Sequence, residues 1–232
     1  MKIVERPSPN HGARRPGASI DLLLLHYTGM KDAMSALDRL TDPASKVSCH
    51  WLIDEDGTTY RLVAEERRAW HAGRACWAGE RDINSCSVGI ELVNPGHEWD
   101  YRQFPPAQMA ALVELARGIL ARHPIPAHRV LGHADVAPAR KQDPGELFDW
   151  AWLAGHGIGL WPDATGTPVP PAAALAAIGY EVGPAGPDAD LITAFQRHFR
   201  SQNVDGMLDA ETAARISAVY HALPLTAGGG TP

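Results

Sequence analysis

Ile20-Asp21-Leu22-Leu23-Leu24-Leu25-His26-Tyr27 is a short apolar run bounded by polar and turn residues, and such a run reads as a buried strand. It delivers His26 at its far end. Downstream, Met34, Leu37 and Leu40 recur at three-residue spacing. This predicts a short amphipathic helix over Lys31 to Leu40 that stops before Pro43, since the residue ahead of a proline is pushed out of helical geometry. Cys49 to Ile53 and Thr58 to Val63 flank Asp54-Glu55-Asp56-Gly57 and are expected to pair as a hairpin. Ser87 to Asn94 reads as another strand, Pro106 to His123 as a helix and His128 to His133 as a returning strand. This alternation through residue ~150 implies an α/β fold, a mixed central β-sheet flanked by helices.

Between the hairpin and the Ser87 strand, Ala69 to Ser85 is rich in Gly, Trp, Arg and Asn without periodicity. A long irregular loop of that kind is usually functional and here is expected to shape a groove. Around Trp161 to Pro171 the composition turns to Pro, Gly and Thr, which marks a linker. Helical stretches then follow at Ala172 to Ile178, Asp188 to Arg200 and Asp209 to Ala222, separated by Gly-containing turns, and fit a small C-terminal three-helix domain. The expected organisation is therefore a domain over 1–160, a linker over 161–171, a helical domain over 172–225 and a mobile tail over 226–232.

With 45% hydrophobic and 21% charged residues among 232, and a mean hydropathy of −0.20, the composition is that of a folded globular chain. A formal charge of −6 without any Lys/Arg-rich run argues against a nucleic-acid partner, whose phosphates demand a basic face. The first residues lack the apolar core of a signal peptide, and no apolar segment approaches ~18 residues. Cys49, Cys76 and Cys86 are odd in number and scattered, which favours reduced thiols over a disulfide framework. Together these features lead to the expectation of a cytoplasmic protein with no membrane span.

His26, His133 and Asp143 each fall at the end of an expected strand or in the loop just after one. Singly, each reads as a hydrogen-bonded structural residue. Together they offer two imidazoles and a carboxylate, the donor set of catalytic zinc with its fourth position open to water. Short-range zinc signatures such as His-Glu-x-x-His are absent, so spacing alone does not establish a site.

Five segments, in order, carry a resemblance: Leu23 to Met30, Val47 to Ile53, Trp70-His71-Ala72-Gly73, Ser87-Val88-Gly89-Ile90-Glu91, and Gly132-His133 through Asp143-Pro144-Gly145. Over roughly residues 5–155 the chain resembles the N-acetylmuramoyl-L-alanine amidases related to peptidoglycan recognition proteins. That resemblance implies zinc ligation by His26, His133 and Asp143, and principal non-ligand catalytic roles for Glu91 and Lys141. The chemistry agrees: a carboxylate beside the metal can take a proton from water and pass it to the departing amine, and an ammonium can stabilise the oxyanion. The bland reading of Glu91 is a surface carboxylate, but it sits within Val88-Gly89-Ile90 and Leu92-Val93, where an unpaired charge is costly. For Lys141 the bland reading is a solvated loop lysine.

In some members of the wider superfamily a Tyr precedes the His of the hairpin strand and assists catalysis; this chain has Cys49 there, which shifts the burden to Glu91. Cys49-His50 also invites a thiol-nucleophile reading, against which adjacent strand residues point to opposite faces. His50 is then structural, and Cys76 and Cys86 are bystanders. Asp135 either orients a ligand or caps a loop. His71, Trp77 and Asn84 are candidate substrate-binding residues of the groove, with a packed Trp and a loop-capping Asn as the alternatives.

The C-terminal helices are similar to the small peptidoglycan-binding domain often joined to such amidases, and either hold glycan or act as a buttress. The function implied is zinc-dependent cleavage of the bond between N-acetylmuramic acid, or its 1,6-anhydro form, and L-alanine, with muropeptides as partners in peptidoglycan recycling. The alternatives are a non-catalytic peptidoglycan-binding protein of the same fold and a zinc peptidase acting within the stem.

Overall fold

The computed structural model describes residues 2–162 and 167–224. The middle of the expected linker and the whole expected tail lie outside the described residues. In chain order the elements are β1 (Ile3–Glu5), β2 (His11–Ala13), β3 (Leu22–Tyr27), α1 (Ala33–Thr41), β4 (Trp51–Ile53), β5 (Thr59–Arg61), β6 (Arg67–Ala69), α2 (Ile83–Cys86) and β7 (Ser87–Leu92). They continue as α3 (Pro106–Arg122), β8 (Val130–Gly132), α4 (His133–Val136), α5 (Trp150–Gly155), α6 (Pro171–Ile178), α7 (Ala189–Phe199) and α8 (Ala210–His221). Six strands form one mixed sheet in the order β1-β5-β4-β7-β3-β8, and β2 pairs with β6 apart from it. The expected hairpin is present as the antiparallel β4–β5 pair.

The four leucines of β3 are fully buried because the strand has parallel neighbours on both sides and covered faces above and below. Alternation sends Leu23 and Leu25 into a core with Val88, Ile90, Leu112 and Ile119, under α3. Leu22 and Leu24 join the opposite core with Trp77, Ile83, Leu175, Phe195 and Ile216. A strand covered on both faces needs an unbroken apolar run rather than an alternating one, and each fully buried leucine contributes roughly 1.5–3 kcal/mol.

The three expected C-terminal helices form, with Asp188 and Asp209 capping α7 and α8 through their side chains. Their apolar faces are continuous with the second sheet face rather than closed on themselves. One expectation shifts: the strand ends at Gly132, and His133 is the first residue of the short helix α4. Asp135 Oδ2 accepts from Gly132 N at 2.8 Å and so caps that turn. Six elements had no sequence signal: β1, β2, β6, α4, α5 and α2, the last a short helix at the end of the stretch expected to be an irregular loop. Among the described residues no helix is long and apolar enough to cross a membrane.

Candidate metal centre and active site

His26 ends the buried run of β3, and the register sets it opposite Glu91 of β7. Paired residues of neighbouring strands project to the same face, so the two side chains stand side by side at one edge of the sheet. α4 brings His133 and the following loop brings Asp143 to the same place. His26 Nδ1 lies 2.9 Å from His133 Nδ1 and 3.0 Å from Asp143 Oδ2, and His133 Nδ1 lies 3.1 Å from Asp143 Oδ2. All three residues are buried.

The surrounding hydrogen bonds fix which nitrogens carry protons. His133 Nε2 faces the Ala72 carbonyl at 2.9 Å, nearer than the Arg140 guanidinium at 3.4 Å, which itself donates to that carbonyl at 2.7 Å; Nε2 therefore donates and Nδ1 is bare. The Ser87 hydroxyl donates to the Ile83 carbonyl at 2.6 Å, so its oxygen accepts from His71 Nε2 at 3.3 Å. His71 Nδ1 is therefore bare and accepts from His26 Nε2 at 3.1 Å, which leaves His26 Nδ1 bare as well. Burial and the neighbouring His133 hold the His26 imidazole down at about 4, and it is neutral at pH 7.

Three lone pairs thus face one another at about 3 Å with no proton between them, an arrangement that calls for a cation. A tetrahedral ion with ~2.0–2.1 Å bonds would hold its ligand atoms roughly 3.3 Å apart, close to the triangle observed. The residues fit a metal ion, and the donor set of two imidazoles and one carboxylate suits zinc. The imidazole–carbonyl and imidazole–imidazole contacts behind the ligands are of the kind that orient ligands and fix tautomers. Gly89 makes one of them possible: a Cβ there would meet the His71 ring at 2.6 Å.

A cleft of about 180 Å³ opens over the triangle, and Glu91, Lys141, His71 and Trp70 are among its lining. Glu91 Oε2 is cut off from solvent without a hydrogen-bond partner. Burial first, and then the Asp143 charge, push the Glu91 carboxyl well above its ordinary range, against the pull of Lys141. Buried polar atoms are nearly always paired, so the orphaned carboxylate oxygen beside the cleft makes Glu91 a candidate functional group. The cleft runs into a wider groove of about 620 Å³ that shares Tyr27, Arg39, Lys141 and Asp143 and extends to Lys31 and Trp99.

Of the expected groove residues, His71 lines the cleft, but both its ring nitrogens are engaged with His26 and Ser87. Trp77 is not a groove residue: it is 1% exposed and packs edge-on to Tyr180 at 4.8 Å, over Gly179. Asn84 is a loop cap, its Oδ1 accepting from the backbone N–H groups of His71 and Ala72. Cys49 is fully buried, and burial first, then Glu91, push its thiol well up. His50 turns away to Gly89 N and the Arg67 carbonyl, so the two form no nucleophile pair. All three cysteines are free.

Sequence reasoning missed a second support beside the site. Tyr27 Oη lies 2.9 Å from His97 Nδ1, and His97 Nε2 lies 3.0 Å from Glu146, which ties the residue after His26 to the loop after Asp143. The nearness of Tyr27 and Glu146 to those residues in sequence was the available signal; His97 offered none.

A mixed sheet that brings two imidazoles and a carboxylate around one point, with a carboxyl and an ammonium alongside, makes a group that could hold a metal ion in the manner of a single-metal hydrolase. Comparison with known proteins sharpens this class. The chain belongs to the N-acetylmuramoyl-L-alanine amidase family, whose profile matches residues 16–146. It is 39% identical to the N-acetylmuramoyl-L-alanine amidase AmiD of Escherichia coli (strain K12), over 94% of this chain and 90% of that protein. Among solved structures, it matches AmiD from E. coli in complex with the substrate anhydro-N-acetylmuramic acid-L-Ala-D-gamma-Glu-L-Lys, at a TM-score of 0.78 and covering 90% of this chain and 92% of that one. It also matches AmpDh3 from Pseudomonas aeruginosa in complex with an anhydromuramic pentapeptide, at 36% identity and a TM-score of 0.78, covering 88% and 92%.

Proposed function

We propose that this chain is a zinc-dependent N-acetylmuramoyl-L-alanine amidase that cuts the amide bond joining N-acetylmuramic acid, or its 1,6-anhydro form, to the L-alanine of the stem peptide during peptidoglycan recycling. The observation that carries the reading is the triangle of lone pairs from His26, His133 and Asp143 with Glu91 in register beside it. These three residues would hold the ion, which when bound lowers the pKa of water and polarises a carbonyl. Glu91 takes the proton of the attacking water and hands it to the departing L-alanine nitrogen. Lys141, beside the cleft, places its ammonium against the negative charge that develops on the carbonyl oxygen. The likeness to chains solved with anhydro-muropeptides supports the substrate class. The cytoplasm, which keeps Cys49, Cys76 and Cys86 reduced, is the compartment we assign, and fractionation of cells carrying the natural gene checks it.

The test of the activity is incubation with a defined anhydro-muropeptide, with and without a zinc chelator, followed by mass spectrometry. Metal-dependent release of an intact stem beginning with L-alanine is the expected result. A shortened stem would indicate a peptidase instead, and an unchanged substrate a protein that only binds.

A further inference from the structure

α7 lies outside the segment matched by the family profile, yet two consecutive residues near its C-terminal end reach the two stretches that carry the metal-type residues. His198 Nδ1 lies 2.7 Å from Asp135 Oδ2, and the Tyr180 hydroxyl donates to Asp135 Oδ1 at 2.5 Å. Asp135 sits two residues beyond His133 in α4, and its Oδ2 also caps that helix through Gly132 N. Asp135, Tyr180 and His198 are each 3% exposed or less. One residue earlier, Arg197 donates to Gln142 Oε1 at 3.1 Å and pairs with Glu146 at 3.5 Å. Gln142 stands between Lys141 and Asp143. Trp150, stacked on the His198 ring at 3.8 Å, comes within 3.3 Å of where a Cβ on Gly132 would lie.

These contacts share one geometry. Rotation of α4 moves His133, and sliding of the 141–146 loop moves Lys141 and Asp143; α7 blocks the first through His198 and the second through Arg197. A buried carboxylate holds its place only while its donors are present, so Asp135 stays fixed as long as Tyr180 and His198 do.

We propose that α7, with Tyr180, is a positioning element of the metal centre: Tyr180 and His198 hold α4, Arg197 holds the Asp143 loop, and together they keep His133, Lys141 and Asp143 converged. The C-terminal helices then act on the catalytic centre directly, whether or not they touch glycan. The proposal rests on the metal reading above.

The test uses the full chain with Tyr180→Phe and Arg197→Met combined, changes that keep ring and stem packing while removing the donors. Leu175→Ala serves as the comparison, because it loosens the same helices through the apolar core without touching Asp135. Zinc affinity is read by competition with a chromophoric chelator, ligand geometry by the visible spectrum of the cobalt-substituted protein, and turnover by kcat and KM. Loss of outer partners of metal ligands costs ~10–100-fold in affinity. The double variant is expected to weaken zinc about 10-fold, shift the cobalt spectrum and lower kcat with KM little changed, whereas Leu175→Ala lowers Tm and leaves zinc affinity and spectrum as in the wild type. A folded double variant with wild-type zinc affinity, spectrum and kcat overturns the proposal, and so does an equal loss of zinc affinity in Leu175→Ala. If the wild type itself binds no zinc, the metal reading fails and takes this proposal with it.

Discussion

Asp135 and Asp143 are both buried carboxylates within ten residues of His133, yet they keep opposite company. Asp135 accepts from three groups that each have a proton to give: Gly132 N, Tyr180 Oη and His198 Nδ1. Asp143 faces two nitrogens whose protons are committed elsewhere, to Ala72 and through His71 to Ser87. The first cluster is closed around its carboxylate and holds structure together; the second is open, its three donor atoms placed where they could hold a cation. Beside the open cluster stands the Glu91 oxygen that has no partner. Counting protons around each buried carboxylate therefore separates the architecture of this protein from its chemistry, where burial alone does not.

The largest expected effect lies in the open cluster. Glu91→Gln keeps shape and hydrogen-bonding capacity but removes the proton acceptor, and kcat should fall by ~10²–10⁴-fold with zinc still bound, as shown by metal analysis of the same sample. Lys141→Met should lower kcat by ~10²–10³-fold with a smaller change in KM, checked by initial rates on one muropeptide. In the closed cluster the effect should appear in stability as well as in the zinc affinity tested above. Asp135→Ala strands three donors, each unmade buried bond costing about 1–3 kcal/mol, and urea unfolding should show a loss of about 3 kcal/mol or more. A smaller change tests the relay behind His26. Gly89→Ala places a methyl where the His71 ring lies and should weaken zinc binding by ~10-fold; an unchanged affinity would mean that His71 does not hold the His26 tautomer.

How far the sequence disclosed this arrangement depended on the range of the contacts involved. β3 was legible because a strand covered on both faces needs an unbroken apolar run, which its four leucines supply, and α3 because it runs over 17 residues. The three-residue strands β1, β2 and β6 carry no periodicity and form only because distant partners such as His11 and Ala69 meet. His26, His133, Asp143, Glu91 and Lys141 came from ordered motifs, and the structure brings all five to one cleft. Trp77 misled because an aromatic residue in an irregular loop looks like a ligand platform, while the helix that buries it begins about a hundred residues later. Asp135 was legible as a cap, since its bond to Gly132 is local. Its bonds to Tyr180 and His198, 45 and 63 residues away, leave no trace in local pattern.

We take three converging lone pairs to hold one ion on which cleavage depends. The most direct test is to strip the protein of metal and return zinc in steps, following bound zinc per chain and stem-peptide release in the same samples. No release is expected without metal, then a rise that ends at one zinc per chain, and no recovery in His133→Ala. Full release from metal-free protein, or equal recovery in His133→Ala, would contradict that.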